Sequence, residues 1–154
     1  MGNFEDLKVV IYYLSELTAT RLRKYGLCAK CVALNFRDKN LFSFTRQTAL
    51  TQKTTSAAEI AKAAEQLAKN NYDFETMPPL RTITVSVTNL EKEKDEQIYM
   101  FENTKSEKNA ALEQNIDKIR KKHGFNILTR GILLENTFFT DKHGNEDEYL
   151  PFKR

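Results

Sequence analysis

The stretch Arg81-Thr82-Ile83-Thr84-Val85-Ser86-Val87-Thr88 decides the fold of this chain. Apolar residues fall at every second position of its last six residues, and a hydroxyl-bearing residue follows each of them. Because successive side chains of a β-strand point to opposite faces of a sheet, this alternation predicts a strand with one buried face and one hydroxyl face. Threonine is favoured in strands whatever their function, but a face made wholly of hydroxyls also suits contact with phosphate oxygens.

The residues ahead of this strand predict a helix and a hairpin. Residues 5–24 carry apolar side chains at helical spacing, and Gly26 follows a basic last turn, which is a helix stop signal. Residues 32–37 and 42–46 alternate in hydrophobicity on either side of a short polar turn, and this pattern predicts a β-hairpin.

Two further helices are predicted. Ser56 and Glu59 have the spacing of a capping box, which predicts a helix over 56–70. Its inward residues are expected to be Ile60, Ala64 and Leu67. A third helix is predicted over 107–123 with a narrow apolar stripe of Leu112, Ile116 and Ile119. Residues 127–134 are a candidate last strand, and the tail from Asp141 is expected to be poorly ordered.

Length and composition indicate one domain, or one domain with an appendage. The chain has 154 residues, and 40% of them are hydrophobic. No apolar run approaches the length that spans a bilayer, and two cysteines make no disulfide framework, so a cytoplasmic location is expected. Residues 1–90 carry 12 Lys/Arg against 8 Asp/Glu, or +4, whereas residues 91–154 carry 12 against 13, or −1. Only the first part could attract a polyanion.

A docking peptide is a second candidate feature. The charged run at 91–96 is typical of an exposed linker, and Gln97-Ile98-Tyr99-Met100-Phe101 follows it. A glutamine with aliphatic and aromatic anchors is what a short docking peptide needs. A short edge strand that packs on its own domain is the alternative.

No set of residues suggests an active site. Cys28 and Cys31 form a CxxC, but only His123 and His143 remain as further zinc ligands, so packing in a strand is favoured over zinc or redox chemistry. Basic and hydrogen-bonding residues do cluster on the predicted sheet and its turns, which indicates contact with a nucleic-acid backbone. A sheet that binds single-stranded RNA would expose stacking aromatics, whereas Phe42 and Phe44 share one face and are assigned to the core.

Three segments carry a resemblance to a known family: Leu17-Thr18-Ala19-Thr20-Arg21-Leu22-Arg23-Lys24-Tyr25-Gly26-Leu27, Phe42-Ser43-Phe44-Thr45-Arg46-Gln47-Thr48-Ala49-Leu50 and Leu80-Arg81-Thr82-Ile83-Thr84-Val85-Ser86-Val87-Thr88-Asn89-Leu90. In this order they resemble the little finger domain of Y-family translesion DNA polymerases, more specifically the bacterial UmuC-type branch. Residues 97–101 look like that family's sliding-clamp-binding peptide, and 116–124 look like the helix that follows it. The similarity spans roughly residues 4–134.

The resemblance implies an α+β fold with a little-finger-like antiparallel sheet and helices packed on one face. It divides the chain into a DNA-binding domain at 4–90, a charged linker with the clamp-binding peptide at 91–102, and a C-terminal helical extension at 103–154. The family has a strand before the first helix, and this chain starts at that helix. We expect that the exposed sheet edge is covered by residues 127–134 or by a neighbouring molecule.

The resemblance also implies partners and contact residues. The partners are template-primer DNA and the replication sliding clamp, with no membrane. The DNA contacts implied are Arg37, Lys39, Thr45, Arg46, Thr48, Arg81, Thr82, Thr84, Ser86 and Thr88. The clamp contacts implied are Gln97, Ile98, Met100 and Phe101. Relatives often have arginine where this chain has Thr82 and Ser86, so weaker phosphate attraction is expected.

Catalysis is expected to lie elsewhere in a DNA repair polymerase. This chain is expected to have no catalytic residue, no metal and no cofactor, and the parent polymerase would use Mg²⁺. Two alternatives remain open: an RNA-binding module with a ferredoxin-like sheet, and a protein-interaction domain that binds no nucleic acid.

Overall fold

In a computed structural model of the chain, the structure describes residues 1–92 and 104–133. The elements follow the order α1 (Phe4–Lys24), β1 (Leu27–Asp38), β2 (Ser43–Thr54), α2 (Ala57–Asn71), β3 (Leu80–Lys92) and α3 (Thr104–His123), and two 3₁₀ turns follow at Phe125–Ile127 and Gly131–Leu133. The sheet has the order β2-β1-β3, and both pairs of neighbours are antiparallel. The predicted α+β class and the hairpin are confirmed. No helix in the described residues is both long and apolar enough to cross a membrane.

The core lies between one face of the sheet and the helices α1 and α2. Val32, Leu34 and Phe36 of the central strand have no exposed surface. The Phe36 ring stacks on Phe44 and Tyr72, with ring centres 4.9 and 5.5 Å apart. Burying each such large apolar side chain contributes about 1.5–3 kcal/mol. The residues predicted to face inward from α2 are all buried, as expected: Ile60, Ala64 and Leu67.

Strand β3 has the two faces that its alternation predicts. Ile83 and Val85 are buried, while the hydroxyl residues that alternate with them, Thr82, Thr84, Ser86 and Thr88, are exposed. The register shifts where Arg37 pairs with Thr82 and Asp38 pairs with Leu80, which leaves Arg81 as an extra residue. This bulge turns the strand by one position, so Leu80 reaches the same core as Ile83. The strand also continues to Lys92, two residues into the segment assigned to the linker.

The sequence predicts the C-terminal end of α1 correctly, but it predicts the wrong capping group for the N-terminal end of α2. Helix α1 stops at Gly26, whose φ of +63° suits glycine, and the predicted stop is confirmed. Helix α2 begins where the capping box predicts, but the Ser56 side chain makes no bond to its own helix. Instead the Glu113 carboxylate of α3 accepts bonds from Ser56 Oγ at 3.0 Å and from Ala57 N at 3.1 Å. The predicted capping partner was therefore wrong, because a distant carboxylate takes its place.

Helix α3 packs through its charged residues and not through its apolar stripe. Leu112 and Ile119 are 58% and 42% exposed, whereas Glu113 and Arg120 are buried. The buried groups pair with α1: Arg23 contacts both Glu113 and Asp117, and Glu16 contacts Arg120. Charge pairing across the α1–α3 interface thus decides which face of α3 turns inward.

Glu16 and Arg23, the α1 members of these ion pairs, are both stabilised in their charged forms. Burial would raise the pKa of Glu16, but hydrogen bonds and charges from Arg120 and Arg130 outweigh it and hold that pKa below its ordinary value. Burial likewise opposes the charge on Arg23, yet its bonds to Asp117 and the nearby charge of Glu113 raise its pKa. Glu16 and Arg23 lie about two turns apart on α1, and their ion pairs fix α3 in place.

The candidate strand at 127–134 is wrong over its described residues. The 3₁₀ turns Phe125–Ile127 and Gly131–Leu133 lie here instead, and Leu133 packs on Val9 and Tyr13 of α1. They therefore lie on the helical layer and cover no edge of the sheet, so this half of the edge hypothesis is also wrong. At the outer edge of β3, Met1 and Leu80 exchange two backbone hydrogen bonds, of 2.9 and 3.1 Å.

Candidate nucleic-acid interface

The face of the sheet opposite α1 and α2 is polar. Strand pairing places its side chains in four rows that each run across β2, β1 and β3. The rows are Ser43–Arg37–Thr82, Thr45–Asn35–Thr84, Gln47–Ala33–Ser86 and Ala49–Cys31–Thr88. We call this surface the hydroxyl face. Its four rows contain no carboxylate, so nothing within them would repel a phosphate.

Hydrogen bonds within the hydroxyl face hold some of its groups in place. Asn35 Nδ2 donates to Thr45 Oγ1 at 3.0 Å, and Ser86 Oγ donates to the Ala33 carbonyl at 3.5 Å. Ala33 and Cys31 are small and buried between their neighbours. The centre of the hydroxyl face is therefore a shallow depression, and the exposed hydroxyls of β3 form one side of it. Such a surface offers hydrogen bonds to a polymer backbone without reading its sequence.

Positive charge collects at the hairpin end of this face. Arg37 lies in the row nearest the β1–β2 turn, and exposed Arg81 sits at the bulge beside Thr82. Lys39 follows in the turn, where its backbone N–H donates to the Pro79 carbonyl at 3.0 Å. At the other end Lys30 is paired with Glu91, at 2.6 Å. Attraction for a polyanion is thus strongest near the turn.

The structure brings most of the predicted DNA contacts together. Six lie on the hydroxyl face, namely Arg37, Thr45, Thr82, Thr84, Ser86 and Thr88. Lys39 and Arg81 border it at the hairpin end. Asn35 belongs to the same face but was missed, although its alternation with Leu34 and Phe36 in the sequence could have identified it.

Arg46 and Thr48 lie on the opposite face from Thr45. Arg46 pairs with Leu34, whose side chain is buried against the helices. Its guanidinium lies 5.1 Å from the centre of the Phe44 ring, and its Nε donates to Asn71 Oδ1 at 3.2 Å. The prediction that these hairpin residues share one outward surface is wrong, because consecutive strand residues point to opposite faces.

Phe42 also differs from its predicted place. It shares a face with Phe44, as expected, but Phe42 is 65% exposed and does not belong to the core. Phe44 is partly buried and packs on the core cluster. The hairpin therefore ends in an exposed aromatic ring.

The predicted clamp contacts Gln97, Ile98, Met100 and Phe101 lie outside the described residues. The described chain reaches Lys92 at the end of β3 and resumes at Thr104, the first residue of α3.

Cys28 and Cys31 are both buried in β1. Within residues 1–92 and 104–133, no group of three His, Cys, Asp or Glu side chains is arranged to hold a metal ion. The burial of both side chains agrees with packing as the role of the two cysteines.

Comparison with known proteins identifies related sequences. Residues 1–100 match the model of the impB/mucB/samB family C-terminal domain. The chain is 32% identical over 138 residues to a DNA polymerase IV of Acetivibrio thermocellus, covering 88% of this chain and 34% of that protein. It is also 32% identical over 145 residues to a DNA polymerase IV of Clostridium kluyveri, covering 89% and 36%.

A DNA polymerase IV of Clostridium acetobutylicum is 27% identical over 131 residues, covering 85% of this chain and 32% of that protein. The chain spans about a third of the length of these curated relatives. The family match covers α1, the whole sheet and α2, which are the elements that build the hydroxyl face.

Proposed function

Because this chain belongs to the impB/mucB/samB C-terminal domain family, we propose that it is the little finger module of a translesion DNA polymerase and that it grips template-primer DNA. The observation that carries the proposal is the hydroxyl face: four rows without a carboxylate, with cations at one end. The relatives bear the name DNA polymerase IV, which supports DNA as the partner.

In this proposal the sheet lies along the sugar-phosphate backbone of the duplex. The hydroxyls of Thr82, Thr84 and Thr88 and the Gln47 side-chain amide donate hydrogen bonds to phosphate oxygens, which fixes position but conveys no sequence. Arg37, Lys39 and Arg81 supply the charge. If each neutralises one phosphate, the logarithm of the binding constant falls with the logarithm of salt with a slope of roughly −3.

The chain's own residues carry no step of nucleotide transfer in this proposal. The described part of the chain offers no ligand cluster for the Mg²⁺ that a parent polymerase would use. The parent's catalytic residues and metal would lie in another part of a longer cytoplasmic protein that acts in DNA repair. This chain would bind the template-primer DNA and hold it in position.

The second part of the proposal is that Gln97, Ile98, Met100 and Phe101 dock on the sliding clamp. The supporting observation is that the flanking elements are well anchored. Strand β3 is paired along β1 up to Lys92, and α3 is held by the ion pairs of Glu16 and Arg23. The peptide would thus be tethered at both ends, close to the DNA-gripping sheet.

The DNA proposal is tested with fluorescence anisotropy on a labelled primed duplex. Arg37→Glu combined with Arg81→Glu should weaken binding by at least about tenfold and flatten its salt dependence. A matched variant, Arg21→Glu with Lys121→Glu, reverses two exposed charges of α1 and α3 and should bind as wild type. Equal losses in both variants would show a general charge effect and remove the assignment. Equal or tighter binding to single-stranded RNA would favour the RNA-binding alternative.

Clamp docking is tested by capture on an immobilised replication clamp. Gln97→Ala with Phe101→Ala should abolish capture, while the Arg37 and Arg81 double variant should be captured as wild type. Undiminished capture of the peptide variant would remove the docking assignment and leave the DNA proposal intact. Capture without any DNA binding would favour the protein-interaction alternative.

A further inference from the structure

The hairpin tip presents a ring that the hydroxyl face does not use. Phe42 and Leu41 are 65% and 51% exposed. The centre of the Phe42 ring lies 6.2 Å from that of Phe44, and Phe44 continues the contact to the buried Phe36 at 4.9 Å. Phe42 is therefore the open end of a row of aromatic rings whose other end is fixed in the core.

The backbone around Phe42 is held by several hydrogen bonds. Asp38 Oδ1 accepts from Phe42 N at 3.0 Å and from Asn40 N at 2.8 Å. Asp38 N donates to the Phe42 carbonyl at 3.0 Å. Leu41 is kept at a φ of +68°, which is unfavourable for a residue with a side chain. The ring is thus presented on a fixed turn, so little conformational entropy would be lost on contact.

The surroundings of the ring favour an anionic partner. Arg46 lies on the same face, with its guanidinium over the neighbouring Phe44 ring. Lys39 is exposed in the turn itself. The Asp38 carboxylate accepts backbone N–H groups of the turn and is buried. An aromatic face beside two cations is the combination that binds a nucleobase together with its phosphates.

We propose that Phe42 is a stacking platform for an unpaired nucleobase, with Arg46 and Lys39 contacting the adjacent phosphates. The site lies on the helix side of β2, around the hairpin end from the hydroxyl face. The inference rests on the proposed DNA function, since the same DNA would supply both parts. A duplex on the hydroxyl face would direct its single-stranded extension around the basic end of the sheet, where Phe42 meets it.

The chain has no tryptophan, so Phe42→Trp gives a single reporter at the site. The probe is a twelve-residue oligothymidylate, titrated at low and moderate salt. Stacking on the indole should quench its fluorescence in a saturable way that weakens with salt. Leu112→Trp, on an exposed position of α3, is the matched control and should show no such quenching. No quenching at position 42, or equal quenching at both positions, overturns the proposal.

A second measurement uses the unlabelled side chain. Phe42→Ala should weaken oligothymidylate binding by at least about fivefold, and Phe42→Tyr, which keeps a ring, should restore most of it. Both variants should bind a blunt duplex as wild type. If blunt duplex is bound but position 42 never responds, the stacking site is refuted and the proposed function stands. If oligothymidylate is bound at Phe42 and duplex is not, the duplex proposal fails instead.

Discussion

Replacing Glu16 with glutamine tests whether the buried ion pairs hold α3 on the domain. Glu16 is 4% exposed and contacts both Arg120 and Arg130. The substitution keeps the shape of the side chain and removes only its charge. Arg120 would then remain buried without the carboxylate that pairs with it among the described residues.

The expected cost follows from what Arg120 keeps. Removing one partner of a buried pair costs about 3–5 kcal/mol. Arg120 retains two bonds to the Leu128 carbonyl, at 2.7 and 3.1 Å, and its contact with the Phe125 ring. Arg130 is partly exposed and can turn to solvent. We therefore expect the lower end of that range, about 3 kcal/mol.

Hydrogen exchange measured by mass spectrometry shows which elements of the fold lose stability in Glu16→Gln. Amides of α3 should exchange about 150-fold faster in Glu16→Gln than in wild type, because 1.4 kcal/mol is a factor of ten. Amides of β1 should change much less, since the sheet and α2 keep their own core. Urea unfolding followed by circular dichroism gives the global free energy of unfolding for comparison.

Glu65→Gln is the matched control. Glu65 also carries a lowered pKa and pairs with Lys8 and Lys69, but these lysines are substantially exposed. Its loss should cost less than about 1 kcal/mol. Exchange in α3 within threefold of wild type for Glu16→Gln would refute the view that charge pairing anchors this helix.

Three other outcomes are expected. The folded-state pKa of Glu16 lies below its ordinary value of 4.5, so the stability that its charge contributes is complete above pH 4.5 and is lost as the pH falls below that value. The free energy of unfolding in urea, measured from pH 6 to pH 3, should therefore fall less in Glu16→Gln than in wild type. Thr84→Glu should weaken duplex binding at least about fivefold while changing the free energy of unfolding by less than about 1 kcal/mol, and anisotropy with urea unfolding checks both. Leu41→Gly should leave the free energy of unfolding unchanged or raise it by up to about 1 kcal/mol, because glycine tolerates a positive φ. Leu41→Val should lower it by about 1 kcal/mol, because a positive φ is unfavourable for a β-branched side chain. Equal effects of the two substitutions on urea unfolding would contradict the strain argument.

The sheet was predictable because its signals are local. The alternation in 82–88 requires only that a strand has two faces, and the helix stop at Gly26 requires only one positive φ. Strict use of the same rule would also have separated Arg46 from Thr45. The placement of Arg46 on the same face as Thr45 was therefore avoidable, because consecutive residues of a strand point to opposite faces.

The packing of α3 was not predictable in this way. Its apolar residues suggested one inward face, while pairing with Arg23 and Glu16 selects another. Those partners lie about ninety or more residues away along the chain. The same holds for Glu113, which caps a helix more than fifty residues earlier. No local pattern indicates which distant charge will be the partner.

The reciprocal hydrogen bonds between Met1 and Leu80 have a practical consequence for handling the protein. A purification tag or fluorophore fused ahead of Met1 would begin antiparallel to β3, along the edge that borders the hydroxyl face. Such a fusion could pair with that edge and obstruct the surface whose binding is to be measured. A label on an engineered cysteine at Leu112, on the exposed side of α3, would avoid both the edge and the hydroxyl face.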